Sequence, residues 1–143
     1  MLKVLIQSVT PFQQNSSIVY CSVTKKCAIV DPGGDIDLLL KISQDNNLIP
    51  ERILLTHGHI DHAGGASELA DILKVEIHGP HINDKYLLDQ LKEQGEMFGM
   101  PSRNCSPDKW LNEGDRITIG DEILEVYFCP GHSPGHILSL IHI

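Results

Sequence analysis

The segment ILLTHGHIDHAGG, at residues 53–65, constrains the fold more than any other part of the chain. Within six residues it carries four side chains of types that bind metals, namely His57, His59, Asp61 and His62. The short apolar run RILLT leads into it, and a run with apolar residues at helical spacing follows it. We therefore expect a buried strand to end at this loop and a helix to begin after it.

The spacing of these side chains favours two metal positions over one. In an extended backbone, side chains two residues apart share a side, so His57 and His59 can converge on one point. Asp61 and His62 follow the turn and can face a neighbouring point. A helical backbone would pair the four differently, but Gly58 and the preceding strand argue against a helix here. A pair of metal ions acidifies a bound water and polarises a carbonyl or phosphoryl oxygen, so the expected chemistry is hydrolysis.

Further donors must come from elsewhere in the chain, because two ions need more ligands than four side chains provide. The loop GHSPGH, at residues 131–136, offers His132 as a plausible ligand and His136 as a weaker candidate with an indirect or structural role. Asp31, which precedes PGG, can orient a ligating imidazole without touching the metal, or can simply serve a turn. Two other histidines are expected to be only hydrogen-bonded: His78 and His81.

The remaining pattern predicts an α/β domain with mixed strand directions, which can also be described as α+β. Strands are expected at VLIQSV, SIVYCSV, CAIV, RILLT, VEIHG and EILEVYFC. Helices are expected at IDLLLKISQDNN with Asp35 as its N-cap, at GGASELADILK and at PHINDKYLLDQLKEQ. The tetrapeptide EGDR, at residues 113–116, is expected to turn a hairpin between the segments WLN and ITIG. No repeat or linker divides the 143 residues, so one domain is predicted.

Charge and composition exclude several function classes. The net charge of −8 and the lack of a Lys/Arg run argue against a nucleic-acid partner. The first residues lack the sustained apolar run of a signal peptide, and no run approaches the roughly 20 residues of a membrane span. We therefore expect a cytoplasmic protein without a membrane partner. The four cysteines form no CxxC pair and are expected to be reduced.

Three motifs together resemble the metallo-β-lactamase superfamily. THGHIDHAGG resembles its HxHxDH signature, while VDPGG and CPGHSPGH lie where the superfamily places its first and third motifs. The stretch EMFGMPSRNCSPDKWLNEGDRITIG is similar to a narrower group, the short bacterial type II glyoxalases. These are hydroxyacylglutathione hydrolases without the added C-terminal helical domain. The resemblance spans residues 2–137.

The resemblance implies an αββα sandwich with a site for two divalent metal ions at one edge. Zinc is the expected metal, and iron or manganese suits the same donors. By position, His57, His59 and His132 would hold the first ion, and Asp61 and His62 the second. Asp61 would also act catalytically, near a bridging water.

The implied reaction is attack of a metal-bound hydroxide on the thioester carbonyl of a small molecule, an S-acylated glutathione. The products are a hydroxy acid, such as D-lactate, and a free thiol. A thiolate leaves readily, so no strong general acid is required.

The resemblance also implies ligands that are absent after His136. Family members carry a metal-bridging Asp in a later GD motif and a last His in a PGHG motif. Residues 1–137 are therefore expected to form only the N-terminal half to two-thirds of the sandwich, with little or no hydrolase activity of their own.

The final residues, LSLIHI at 138–143, raise a separate question. They are encoded by CTGTCTCTTATACACATC, which resembles a transposase-end adapter used in sequencing libraries. We expect the natural sequence to end at about Ile137 and this tail to be non-native, so His142 is not counted as a ligand. The alternative is a genuine apolar strand.

Other members of the superfamily share the same loop. A persulfide dioxygenase would bind a single iron with His57, His59 and His132, leaving Asp61 and His62 unengaged. Lactonases, β-lactamases and phosphodiesterases are further alternatives. The number of bound ions distinguishes the first of these alternatives from a two-metal hydrolase.

Overall fold

A computed structural model describes the backbone of residues 1–142 and the side chains of residues 1–137. The eight strands in this part of the chain are β1 (Leu2–Val9), β2 (Gln14–Cys21), β3 (Lys26–Val30), β4 (Ile49–Leu54), β5 (Glu76–His78), β6 (Arg116–Ile119), β7 (Glu122–Phe128) and β8 (Ile137–His142). The helices are α1 (Ile36–Asp45), α2 (Ile60–Ala63), α3 (Ala66–Leu73), α4 (Lys85–Leu88) and α5 (Leu91–Phe98), with a 3₁₀ turn at Ile82–Asp84. None of these helices is long and apolar enough to cross a membrane.

The first sheet has five strands in the order β1-β2-β3-β4-β5. The first three strands run antiparallel, whereas β3, β4 and β5 are parallel, so the predicted mixture of strand directions is confirmed. Both faces of the central strands β2 and β3 are buried. Ile18 and Ile29 belong to the core shared with the helices, while Val19 and Ala28 belong to a second core on the opposite face.

The second sheet, β6-β7-β8, is antiparallel and covers this opposite face. The core between the two sheets contains Leu54 from the first sheet and Ile117, Leu124 and Val126 from the second. Burial alternates along β6, with one side of the strand inward and the other exposed. The described residues therefore form three layers, in the order helices, sheet, sheet, and the predicted incomplete αββα architecture is confirmed.

Several local predictions needed correction. Asp35 lies at the N-cap position of α1, but its side chain makes no capping hydrogen bond; Oδ2 accepts from the backbone N–H of Thr10 at 2.7 Å. The helix predicted after Pro80 is broken into the 3₁₀ turn, α4 and α5. EGDR does not connect two strands, because WLN before it is not a strand; the β6–β7 turn is at Gly120, which has a φ of 57°.

The four cysteines are free, as predicted. Tyr20 pairs with Cys27 across β2 and β3, so Cys21 lies on the opposite face of the sheet from Cys27. The predicted non-native origin of residues 138–143 stays a prediction. Ile143 and the side chain of His142 lie outside the described residues.

Candidate metal centre

The histidine loop begins where β4 ends. His57 and His59 lie in a non-helical segment in which His59 has an extended backbone, and α2 begins directly afterwards at Ile60. His57 is buried with 3% of its surface exposed, whereas His59 is half-buried. Asp61 and His62 lie in the single turn of α2 and project from it beside the loop. Residues 57–59 are not helical, as predicted, but a helix begins within the loop at Ile60, whereas the sequence predicted its start at Gly64.

Three imidazoles form the first donor group. One nitrogen each from His57, His59 and His132 lie within 4.8 Å of one another, and His59 Nδ1 is 3.2 Å from His132 Nε2. Two imidazole nitrogens bound to one tetrahedral zinc ion at about 2.1 Å would be about 3.4 Å apart. The separation of these two nitrogens is therefore close to that in a zinc site.

A second donor group shares His57 with the first. Asp31, His57 and His62 each offer a donor atom within 4.8 Å of the others. The carboxylate of Asp61 lies 3.6 Å from His62 Nε2, and it is in neither donor group within the described part of the chain. The structure thus brings His59, His62, His132 and Asp31 around His57, with Asp61 at the margin.

Asp31 determines which ring nitrogens are available. Its Oδ2 lies 2.6 Å from Thr56 Oγ1 and 2.9 Å from His62 Nδ1. Because a carboxylate only accepts, the Thr56 hydroxyl donates to it and can accept in turn from His57 Nδ1 at 2.9 Å. His57 and His62 are then both protonated on Nδ1, which leaves a lone pair on each Nε2.

These imidazoles suit a divalent metal. His57 Nε2 is buried and has no hydrogen-bond partner within the described residues, although buried polar atoms normally have one. Burial, followed by the neighbouring histidines, lowers the pKa of His57 to about 2, and burial and His132 lower the pKa of His59. Burial also acts to lower the pKa of His62, but the hydrogen bond to Asp31, together with the charges of Asp31 and Asp61, raises this pKa overall. Neutral imidazole is the form that binds metals, so the lowered pKa values of His57 and His59 suit these two residues to a metal ion.

Asp84 is a central residue that sequence reasoning missed. It is completely buried, and its carboxylate accepts hydrogen bonds from Gly58 N at 2.8 Å, Ser133 Oγ at 2.7 Å and Gly135 N at 2.6 Å. It therefore ties the loop of His57 and His59 to the loop of His132. No local signal marks it, because its partners are 26 to 51 residues away in the sequence.

His136 lies next to the donor groups without belonging to either of those formed by described residues. Its ring centroid is 4.8 Å from that of His57 and 5.7 Å from that of His132. Burial lowers its pKa, and its backbone carbonyl accepts from Cys129 N at 2.9 Å. Its indirect or structural role stays a prediction.

The DPGG loop packs directly against the backbone of α2. A Cβ atom on Gly33 would lie 1.7 Å from the carbonyl oxygen of Asp61. On the other side of the contact, Gly65 N donates to the carbonyl of Pro32 at 3.0 Å. The glycines of DPGG and HAGG thus allow two backbones to meet where Asp61 and His62 project.

The chain is similar to known proteins in sequence and in fold. The family model of the metallo-beta-lactamase superfamily matches residues 9–142. The chain is 39% identical over 143 residues to the hydroxyacylglutathione hydrolase GloC of Haemophilus influenzae, an alignment that covers 99% of this chain and 67% of that protein.

Among solved structures, the BLEG-1 B3 metallo-beta-lactamase is similar with a TM-score of 0.82 and 30% identity, over 99% of this chain and 67% of that one. A di-iron-bound form of TTHA1623 has a TM-score of 0.79 and 30% identity, over 93% and 64%. The chain thus spans about two thirds of the length of these relatives.

Proposed function

Because the chain belongs to the metallo-beta-lactamase superfamily, we propose that the protein it represents is a two-metal hydrolase of glutathione thioesters. In this reaction water adds to the thioester carbonyl carbon and the carbon–sulfur bond breaks, giving a carboxylic acid and free glutathione. The likeness to GloC supports this substrate class, since that relative is a hydroxyacylglutathione hydrolase.

The observation that carries the proposal is the position of His57 between two donor groups, with its Nε2 buried and unpaired within the described part of the chain. We propose that His57, His59 and His132 hold one ion, and that Asp61 and His62 contribute to a second. The chemistry that divalent ions supply in such sites is the acidification of water to a pKa of about 7. Zinc is the expected ion, and the di-iron form of TTHA1623 makes iron a serious alternative.

The residues of the chain prepare this site before any substrate enters. Asp31 and Thr56 hold His57 with its Nε2 free, and Asp31 does the same directly for His62. Asp61 is the proposed catalytic carboxylate, because it is partly exposed beside His62 Nε2 and can accept a proton from the attacking water. The leaving thiol has a pKa near 8.5, so it can depart as a thiolate without a dedicated acid.

A one-iron persulfide dioxygenase is the second candidate. The specific observation that favours it is that the three-imidazole group is complete without Asp61, which stands outside both groups of described donors. This alternative requires one ion per chain, and the hydrolase requires two.

Metal counting and hydrolysis together test the proposal. Protein from the complete reading frame is loaded with zinc or iron, and the ions per chain are counted by plasma mass spectrometry. We expect two ions per chain, one in His62→Ala, and hydrolysis of S-D-lactoylglutathione by the two-metal form. A single ion that His62→Ala does not remove, or an intact thioester, would overturn the proposal. Residues 1–143 alone, measured in parallel, are expected to show little or no turnover.

A further inference from the structure

We propose that a cavity beside the candidate metal centre receives the acyl part of the substrate and selects apolar acyl groups. This inference rests on the proposed thioester hydrolysis and adds a substrate preference to it. The cavity has a volume of about 420 Å³. It is lined by Phe12, His59, Ile60, Asp61, Gln94, Met97 and Phe98.

The walls of the cavity are large apolar side chains that remain exposed. Phe12 and Phe98 meet edge to face, with ring centroids 5.9 Å apart, yet 53% and 55% of their surfaces are accessible. Met97, beside them, is 78% exposed. Three adjacent exposed side chains of this size form the kind of patch that often marks a binding site.

The backbone around the walls is held in place. Phe12 lies in the β1–β2 turn, where Phe12 N donates to Thr10 Oγ1 at 3.2 Å and Gln13 N donates to the Thr10 carbonyl at 3.0 Å. Phe98 is the last residue of α5, which ends at Gly99 in a left-handed conformation with a φ of 70°. The two aromatic rings are therefore presented by a hydrogen-bonded turn and a helix end.

The cavity is continuous with the candidate centre, because His59 and Asp61 line both. A group bound against Phe12 and Phe98 would have its reacting end next to the proposed catalytic carboxylate. This continuity distinguishes the cavity from an apolar patch elsewhere on the surface.

Charge identifies which half of a thioester fits. The glutathionyl half carries two carboxylates and an ammonium group, and such carboxylates are usually bound by Arg or Lys. Among the described residues, the cavity lining contains neither, and its one carboxylate, that of Asp61, would repel an anion. An uncharged acyl group with several carbons matches the lining, and burying it is favourable in proportion to its apolar area.

A binding experiment tests this inference without relying on turnover. Acetate and hexanoate, which correspond to products with a short and a long acyl group, are titrated into zinc-loaded residues 1–143 and followed by backbone amide chemical shifts. Hexanoate is expected to bind about tenfold more tightly than acetate, on the order of what burial of two methylene groups gives. Its largest shifts should fall on the Phe12 turn and on α5.

A matched pair of variants locates the effect. Phe98→Ala should abolish the preference for hexanoate, while Tyr86→Ala, which removes an aromatic ring that is 49% exposed outside the cavity, should retain it. Equal binding of acetate and hexanoate by the wild type would overturn the inference. A preference that survives in Phe98→Ala would also overturn it.

Turnover separates this inference from the proposed function. The ratio of kcat/KM for S-hexanoylglutathione to that for S-acetylglutathione, measured on protein from the complete reading frame, should fall about tenfold in Phe98→Ala. If neither thioester is hydrolysed, the proposed function fails while the binding experiment still decides on the cavity. If both are hydrolysed with an unchanged ratio, the acyl preference fails and the thioesterase proposal stands.

Discussion

Replacing Asp84 tests how the candidate metal centre is held together. Its buried carboxylate accepts from Gly58 N, Ser133 Oγ and Gly135 N at 2.6–2.8 Å. Asp84→Ala leaves two buried backbone N–H groups without an acceptor, whereas the Ser133 hydroxyl can rotate. Because each unpaired buried donor costs about 1–3 kcal/mol, the free energy of unfolding should fall by about 2–6 kcal/mol.

Asp84→Asn gives a finer test because it preserves the shape of the side chain. Both carboxylate oxygens face N–H donors, so an amide nitrogen in either position would meet a donor. We expect one mismatch and a loss of about 1–3 kcal/mol. Asp89→Asn is the matched control, because the Asp89 side chain is exposed and its contact within the described part of the chain is an ion pair with Lys85 at 2.6 Å. Loss of such a pair costs about 0.3–0.5 kcal/mol.

Two assays separate stability from site geometry. Urea unfolding of the metal-free chain gives the free energies, and competition with a chelating dye gives zinc affinity. Because Asp84 fixes the loop of His57 relative to the loop of His132, we expect Asp84→Asn to weaken zinc binding by about 10–100-fold, as for other residues that support metal ligands. If Asp84→Asn matches Asp89→Asn in both assays, the reasoning about Asp84 is refuted.

Three further predictions concern single residues. His132→Ala should lower the zinc affinity measured by dye competition more than about tenfold, whereas His78→Ala should leave that affinity unchanged. Equal effects of the two substitutions would contradict the assignment of His132 as a ligand. Burial raises the pKa of Cys27 to about 12. At about pH 8 Cys27 should therefore resist alkylation by iodoacetamide, whereas the half-buried Cys129 should react. Peptide mass spectrometry identifies which cysteine is alkylated. Gly33→Ala places a Cβ atom 1.7 Å from the carbonyl oxygen of Asp61 in α2. We expect the free energy of unfolding, measured with urea, to fall by more than about 1 kcal/mol. An unchanged unfolding midpoint would argue against the close packing.

The parts of the fold predicted from sequence are those with local signals. Hydrophobic runs located the early strands, and Gly58 correctly indicated a non-helical backbone at His57 and His59, although Asp61 and His62 lie in a short helix. The role of Asp84 was not predictable, because a carboxylate becomes a buried acceptor only when a loop 49 residues later supplies Ser133. Asp35 shows an intermediate case: its position at the start of α1 was correct, but its side chain bonds to Thr10 instead of to its own helix.

The contact of Gly33 with the backbone of α2 bears on how such a site can change during evolution. Main-chain packing, and not the ligating side chains, determines where Asp61 and His62 leave the backbone. Ligating side chains can therefore be exchanged one at a time while the backbone packing of the DPGG loop against α2 stays the same. Solved structures with a similar overall fold include a di-iron-bound form of TTHA1623 and the BLEG-1 B3 metallo-beta-lactamase. Backbone packing of this kind allows a family to change its metal ligands and its chemistry while keeping the same fold.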